Sequence, residues 1–253
     1  MDENELKELF NNENIKKENH KLLELYESKW DIVLKVREAA TNSGELVFHS
    51  SCIPPNYKEM THKILVIGKK TNGWEFKEKA KESMLLTLNF LYSKKHNNKL
   101  SFNFPYKFCK SINNYDYKNI IKKTYFAWIS LDKFSYDNNK IQLNNETQYI
   151  VDNEFNKNML EKEIEIINPD IVLFLTGDYD RYIKKQLDGV KFHKLGNCEC
   201  DIARVEHKVL DKRISFRTYQ PDYFRFIKKG MYDKCIQELV KECKLYLNQG
   251  EIK

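Results

Sequence analysis

The chain has 253 residues, of which 41% are hydrophobic, 32% charged and 13% aromatic. That composition excludes a disordered chain, and the length suits one large domain or two small ones. The net charge of +6 permits contact with nucleic acid without demanding it.

Residues 1 to about 42 read as helical, because Leu22, Leu23, Tyr26, Trp30, Ile32, Val33 and Val36 recur at helical spacing. Ser43-Gly44 breaks the run, and a loop with Cys52 and Pro54-Pro55 follows. Lys63 to Ile67 is a short apolar run of the kind that forms a buried strand. Residues 75–93 read as helix, with Ala80, Met84, Leu88 and Leu91 on one face. The Asn-, Lys- and Tyr-rich region 94–119 reads as loop with one short helix.

Tyr125 to Leu131 is the second strand candidate, and residues 132–150 read as a polar loop. Phe155, Met159, Ile164 and Ile167 mark a helix that stops at Asn168-Pro169. Asp170 to Leu175 is the clearest buried strand, ended by Thr176-Gly177, with a helix expected over Asp180–Leu187. Residues 192–209 alternate as a hairpin would. Ile214 to Tyr219 is the last strand, and Met231, Cys235, Leu239, Cys243 and Leu247 stripe a C-terminal helix. Strands alternating with helices, the clearest strands being apolar on both faces, imply a parallel sheet covered on both sides.

In such sheets ligands bind beyond the carboxyl ends of the strands. Here those ends read GKKTNGW, SLDKF, TGDYD and YQPDYF, all polar with an aromatic nearby. A Walker phosphate loop requires G-x-x-x-x-G-K-[ST]. Gly68 and Gly73 have the right separation, but Trp74 and Glu75 stand where Lys and Ser/Thr belong. A dinucleotide G-x-G-x-x-G is absent as well.

The strand running into Gly68 with a short polar loop, NPDIVLFLTG before a helix, and the late strand ending in RTYQPDYF resemble the uracil-DNA glycosylase superfamily, in its divergent bacterial branch. The resemblance covers about residues 62 to 226. It implies a three-layer α/β/α domain with a short parallel central sheet over residues 51–253, preceded by an N-terminal helical extension over 1–50. It also implies a DNA glycosylase that hydrolyses the N-glycosidic bond of a flipped, modified or foreign base, with defence against phage DNA as a role by analogy. The partner would be single- or double-stranded DNA, with no cofactor.

Under that resemblance the catalytic positions fall on Lys70, Asn72, Asp132 and Gln220. Gly68, Thr71, Trp74, Ser130, Asp222 and Tyr223 would contact the base, with Trp74 stacking on it or packing behind the loop. Lys69, Arg217 and Arg225 would hold DNA phosphates. Two positions depart from the family. Lys70 stands where an Asp, Glu or Asn is usual, and Gln220 replaces a His. Asn72 could position the water instead, or Asp132, Asp178 or Asp222 could supply the carboxylate. The departures leave two alternatives open: an inactive nucleic-acid or nucleotide-binding module on the same fold, and a small-molecule enzyme on a flavodoxin-like sheet.

Cys198-x-Cys200 lies near His193 and His207, but one intervening residue is short of usual zinc spacing, so no metal is expected. Reduced cysteines in a cytoplasmic protein are expected too. No apolar run reaches the roughly 20 residues that a membrane span needs, and the polar start MDENELKELF has no signal-peptide core, so no membrane partner is expected.

Overall fold

The computed structural model describes residues 2–40, 46–69, 75–92, 100–114, 125–136, 143–196, 199–225 and 230–249. In chain order these form α1 (Glu3–Phe10), α2 (Lys16–Glu27), α3 (Trp30–Ala40), β1 (Leu46–Phe48), β2 (Ile64–Gly68), α4 (Ala80–Tyr92) and α5 (Leu100–Asn113). There follow β3 (Phe126–Ser130), β4 (Phe134–Tyr136), α6 (Asn145–Ile150), α7 (Met159–Ile167), β5 (Ile171–Leu175) and α8 (Asp180–Gln186). The last elements are β6 (Lys191–Lys194), β7 (Ala203–Glu206), β8 (Ile214–Thr218) and α9 (Met231–Asn248).

The main sheet has six strands in the order β3-β2-β5-β8-β7-β6. β3, β2, β5 and β8 run parallel, and the β6–β7 hairpin continues the sheet antiparallel. The sheet is therefore longer than the short parallel sheet expected, and mixed. The hairpin can join because two antiparallel strands need only a short turn, whereas each parallel neighbour needs a crossover.

β2 and β5 are buried at every position. Alternate residues explain why: Leu65, Ile67, Val172 and Phe174 enter one core, while Ile64, Val66, Ile171 and Leu173 enter another. Successive side chains of a strand point to opposite faces, so a strand covered on both sides must be apolar throughout. Helices supply both covers. Met84 of α4 and Ile164 of α7 lie in the first core; Phe104 and Phe108 of α5 and Cys235 and Leu239 of α9 lie in the second.

Two loop expectations are corrected here, and the N-terminal helices pack into the core: Leu22 and Tyr26 of α2 and Val33 and Val36 of α3 share the first core with Leu65 and Ile67. Asn19 ties the same region down, donating to Ile53 O at 3.2 Å and accepting from Ile53 N at 2.9 Å. Residues 132–150 are not simply loop, since β4 pairs antiparallel with β1 and α6 follows. The 94–119 region contains a helix of 14 residues, α5, despite Pro105 inside it. Proline removes one helical hydrogen bond, but Phe104, Phe108 and Ile112 bury one face of α5, which packs against α9. Tertiary packing outweighs local propensity there.

α7 behaves as expected. It ends at Asn168, which takes a left-handed φ of 46°, and Pro169 follows. Among the described residues, no helix is long and apolar enough to cross a membrane.

Candidate functional site

The four parallel strands finish level. Gly68 pairs in register with Ser130 on one side and with Leu175 on the other, and Leu175 pairs with Thr218. Counting only these strands along the chain, their spatial order is 2-1-3-4, so the connections diverge on either side of β2. Doubly wound sheets bind ligands in the crevice at such a switch point.

Backbone bonds knit the strand ends together. Leu131 N donates to Gly68 O and Asp132 N to Lys69 O, both at 2.8 Å. Gly177 N donates to Thr218 O at 3.0 Å. Gly177 has φ of 58°, the left-handed region that glycine enters without strain, and this turns the chain after β5. Gly68 is glycine for a different reason: a Cβ there would lie 2.3 Å from Cζ2 of Trp128.

Lys69 reaches across from β2 to the loop after β5. Its Nζ lies 2.7 Å from Asp178 Oδ1 and 4.1 Å from the centroid of the Tyr179 ring. The hydrogen bond from Lys69 holds the Asp178 carboxyl below its usual range. Burial pushes the Tyr179 phenol up, and the charge of nearby Asp132 adds to the shift. Loops after β2, β3 and β5 thus bring Lys69, Asp132, Asp178 and Tyr179 into one cluster of charge and aromatic surface.

Other expected residues lie apart from that cluster. Ser130 is buried, and strand alternation puts it on the face of Trp128, opposite Lys69. Gln220, Asp222 and Tyr223 follow β8, where Tyr223 N donates to Gln220 O at 2.9 Å. The Tyr219 and Tyr223 rings stack at 5.2 Å, and Tyr223 is exposed. Burial raises the Tyr219 phenol, with the charge of Asp201 contributing. Lys70, Thr71, Asn72 and Trp74 lie outside the described residues, as does the side chain of Arg225.

Arg217 does not stand ready for phosphates. Its guanidinium bonds Asp201 Oδ2 at 2.5 Å and Asp180 Oδ2 at 2.9 Å, and the side chain is 10% exposed. It joins the segment before β7 to the start of α8. Lys69 is likewise engaged, by Asp178. Arg217 is largely buried with its two carboxylates, whereas Asp178 is 87% exposed, so of the two only Arg217 is committed inside the fold.

Sequence reasoning missed Tyr179, although TGDYD was visible at a strand end. It also missed Trp128 and the buried Lys133 directly after Asp132. Nothing in the local sequence marks a lysine for burial, since lysine is rarely buried unless paired. Among the described residues no three His, Cys, Asp or Glu side chains gather as metal ligands. His193 instead pairs with Glu206 across the hairpin at 2.9 Å.

The chain matches no protein-family model and no curated protein.

Proposed function

We propose that this crevice takes a nucleobase flipped out of DNA, and that the protein hydrolyses the N-glycosidic bond of a modified or foreign base. The observation that carries the reading is the place of Asp132, bonded through its backbone to Lys69 O and neighboured by Tyr179 at the switch point. The sequence resemblance to uracil-DNA glycosylases and the 2-1-3-4 order of the parallel strands support the same reading, with helices on both faces as a three-layer fold requires.

Asp132 holds a water molecule against C1′ of the sugar. As the water oxygen bonds to C1′, the C1′–N bond breaks and its electron pair leaves with the base. The Asp132 carboxylate takes the proton that the water loses. From the end of β8, across β2 and β5 from Asp132, Gln220 is assigned by the resemblance to donate a hydrogen bond to the anion forming on the base, with Tyr219 and Tyr223 as the aromatic surface beside it. The choice of phage-type foreign bases as substrates rests on analogy with the family that the sequence resembles.

A second reading is favoured by one observation. Lys70 and Gln220 stand where the family that the chain resembles usually carries an Asp, Glu or Asn and a His. On that reading the fold binds a nucleic acid or nucleotide without cleaving it.

An abasic-site assay separates the two. The protein is incubated with single- and double-stranded DNA carrying uracil, damaged bases or phage-type modified cytosines, then treated with alkali. Strand breaks that fall about 100-fold or more in Asp132→Asn, in line with loss of acid–base assistance, support the glycosylase. Binding without breaks moves the protein to the second reading, and neither binding nor breaks removes both.

A further inference from the structure

The strongest unexplained feature lies beneath Asp132. Lys133 and Glu163 are both fully buried, with Lys133 Nζ 2.6 Å from Glu163 Oε1. The same oxygen accepts hydrogen bonds from Tyr26 Oη and from Ser51 Oγ, the latter at 3.2 Å. Tyr26 Oη in turn accepts from Ser51 N at 2.8 Å. Glu163 Oε2 is buried with no partner among the described residues. Burial lowers the Lys133 ammonium, opposed by Glu163, and raises the Tyr26 phenol, reinforced by the charge of Glu163.

The network joins distant segments. Tyr26 comes from α2, Glu163 from α7, and Lys133 from the turn between β3 and β4. That turn is only Leu131, Asp132 and Lys133, and its backbone is held at each residue. Leu131 O accepts from Gln186 Nε2 at 2.7 Å, and Lys133 O accepts from His49 N at 2.8 Å. The bonds from Leu131 N to Gly68 O at the end of β2 and from Asp132 N to Lys69 O just after it complete the set.

A buried ion pair contributes less to stability than a well-packed apolar pair of the same volume. Its bonds are directional, however, and an apolar pair fills space without fixing the angle of a turn. We infer that Tyr26, Glu163 and Lys133 are positioning residues that set the orientation of Asp132, so that the N-terminal helices belong to the working site. The inference rests on the reading of Asp132 as the carboxylate that holds water.

The discriminating variant is Lys133→Met with Glu163→Gln, made together. It removes both charges but keeps an acceptor for Tyr26 and Ser51. Thermal melting, amide hydrogen exchange and base-release kinetics are measured on it and on the wild type. The expected result is a folded protein whose Leu131 and Asp132 amides exchange about ten-fold faster, as local opening becomes easier. Its kcat falls about 10- to 100-fold while KM holds, as misplacement of a reacting group requires. Unchanged exchange and unchanged kcat in a folded double variant would overturn the inference.

If that variant does not fold, Tyr26→Phe removes one bond to Glu163 without stranding a charge. Faster Asp132 exchange supports the inference and unchanged exchange overturns it. Exchange needs no substrate, so a wild type that releases no base removes the functional reading while the link from Tyr26 to Asp132 is still decided.

Discussion

The indole of Trp128 fills the space that a side chain on Gly68 would need, since a Cβ at position 68 would lie 2.3 Å from Trp128 Cζ2. The two residues sit on adjacent strands, and Trp128 is itself wedged against Phe102, with ring centroids 5.4 Å apart and planes at 20°. The ring therefore has little freedom to retreat. Gly68→Ala is expected to lower stability by about 1–3 kcal/mol, the usual range for overpacking a full core. The urea midpoint measures it. A midpoint equal to the wild type would mean that the indole swings aside.

Arg217 makes a different prediction. Replacing it with Met leaves Asp180 and Asp201 facing each other without their cation. A loss of about 3 kcal/mol is expected, at the low end for a broken buried pair because both carboxylates keep some contact with solvent. Arg217→Gln, which removes the charge, tests its role toward DNA. If Arg217 touched no phosphate, the salt dependence of any nucleic-acid binding would stay as in the wild type. A phosphate contact would instead change the slope of log K against log salt by about 0.9.

Lys69 and Asp178 carry a pH signature. The Asp178 carboxyl lies below its ordinary value of 3.8 in the folded protein, chiefly through the hydrogen bond from Lys69. Its contribution to stability is thus present above that ordinary value and lost as pH falls through the folded-state value. Asp178 is 87% exposed, so salt screens the effect and it stays small. In Lys69→Met, carboxyl titration followed by NMR should move Asp178 up toward 3.8. The same midpoint in both proteins would show that the ion pair does not form in solution.

Much of the scaffold was legible because strands and helices are written in short periods. ILVI and IVLFL are apolar at every position, which only a strand covered on both faces permits. Asn168-Pro169 announced the end of α7. Helix α5 was hidden because Pro105 and the polar residues around it look like a break. Its buried face acquires meaning only against α9, far along the chain.

The sequence by itself determined the parallel strands, their order along the chain, and the gathering of polar and aromatic residues at their carboxyl ends. These follow from local hydrophobic period and from turn residues, which need no partner to be read. The tertiary structure decided which charges are used up inside the fold. Arg217 meets Asp201 and Asp180 across 16 and 37 residues, and Glu163 meets Lys133 across 30 and Tyr26 across 137. Whether a charge faces a phosphate or a buried carboxylate depends on desolvation and on distance in space, and neither is a property of neighbouring residues in the chain.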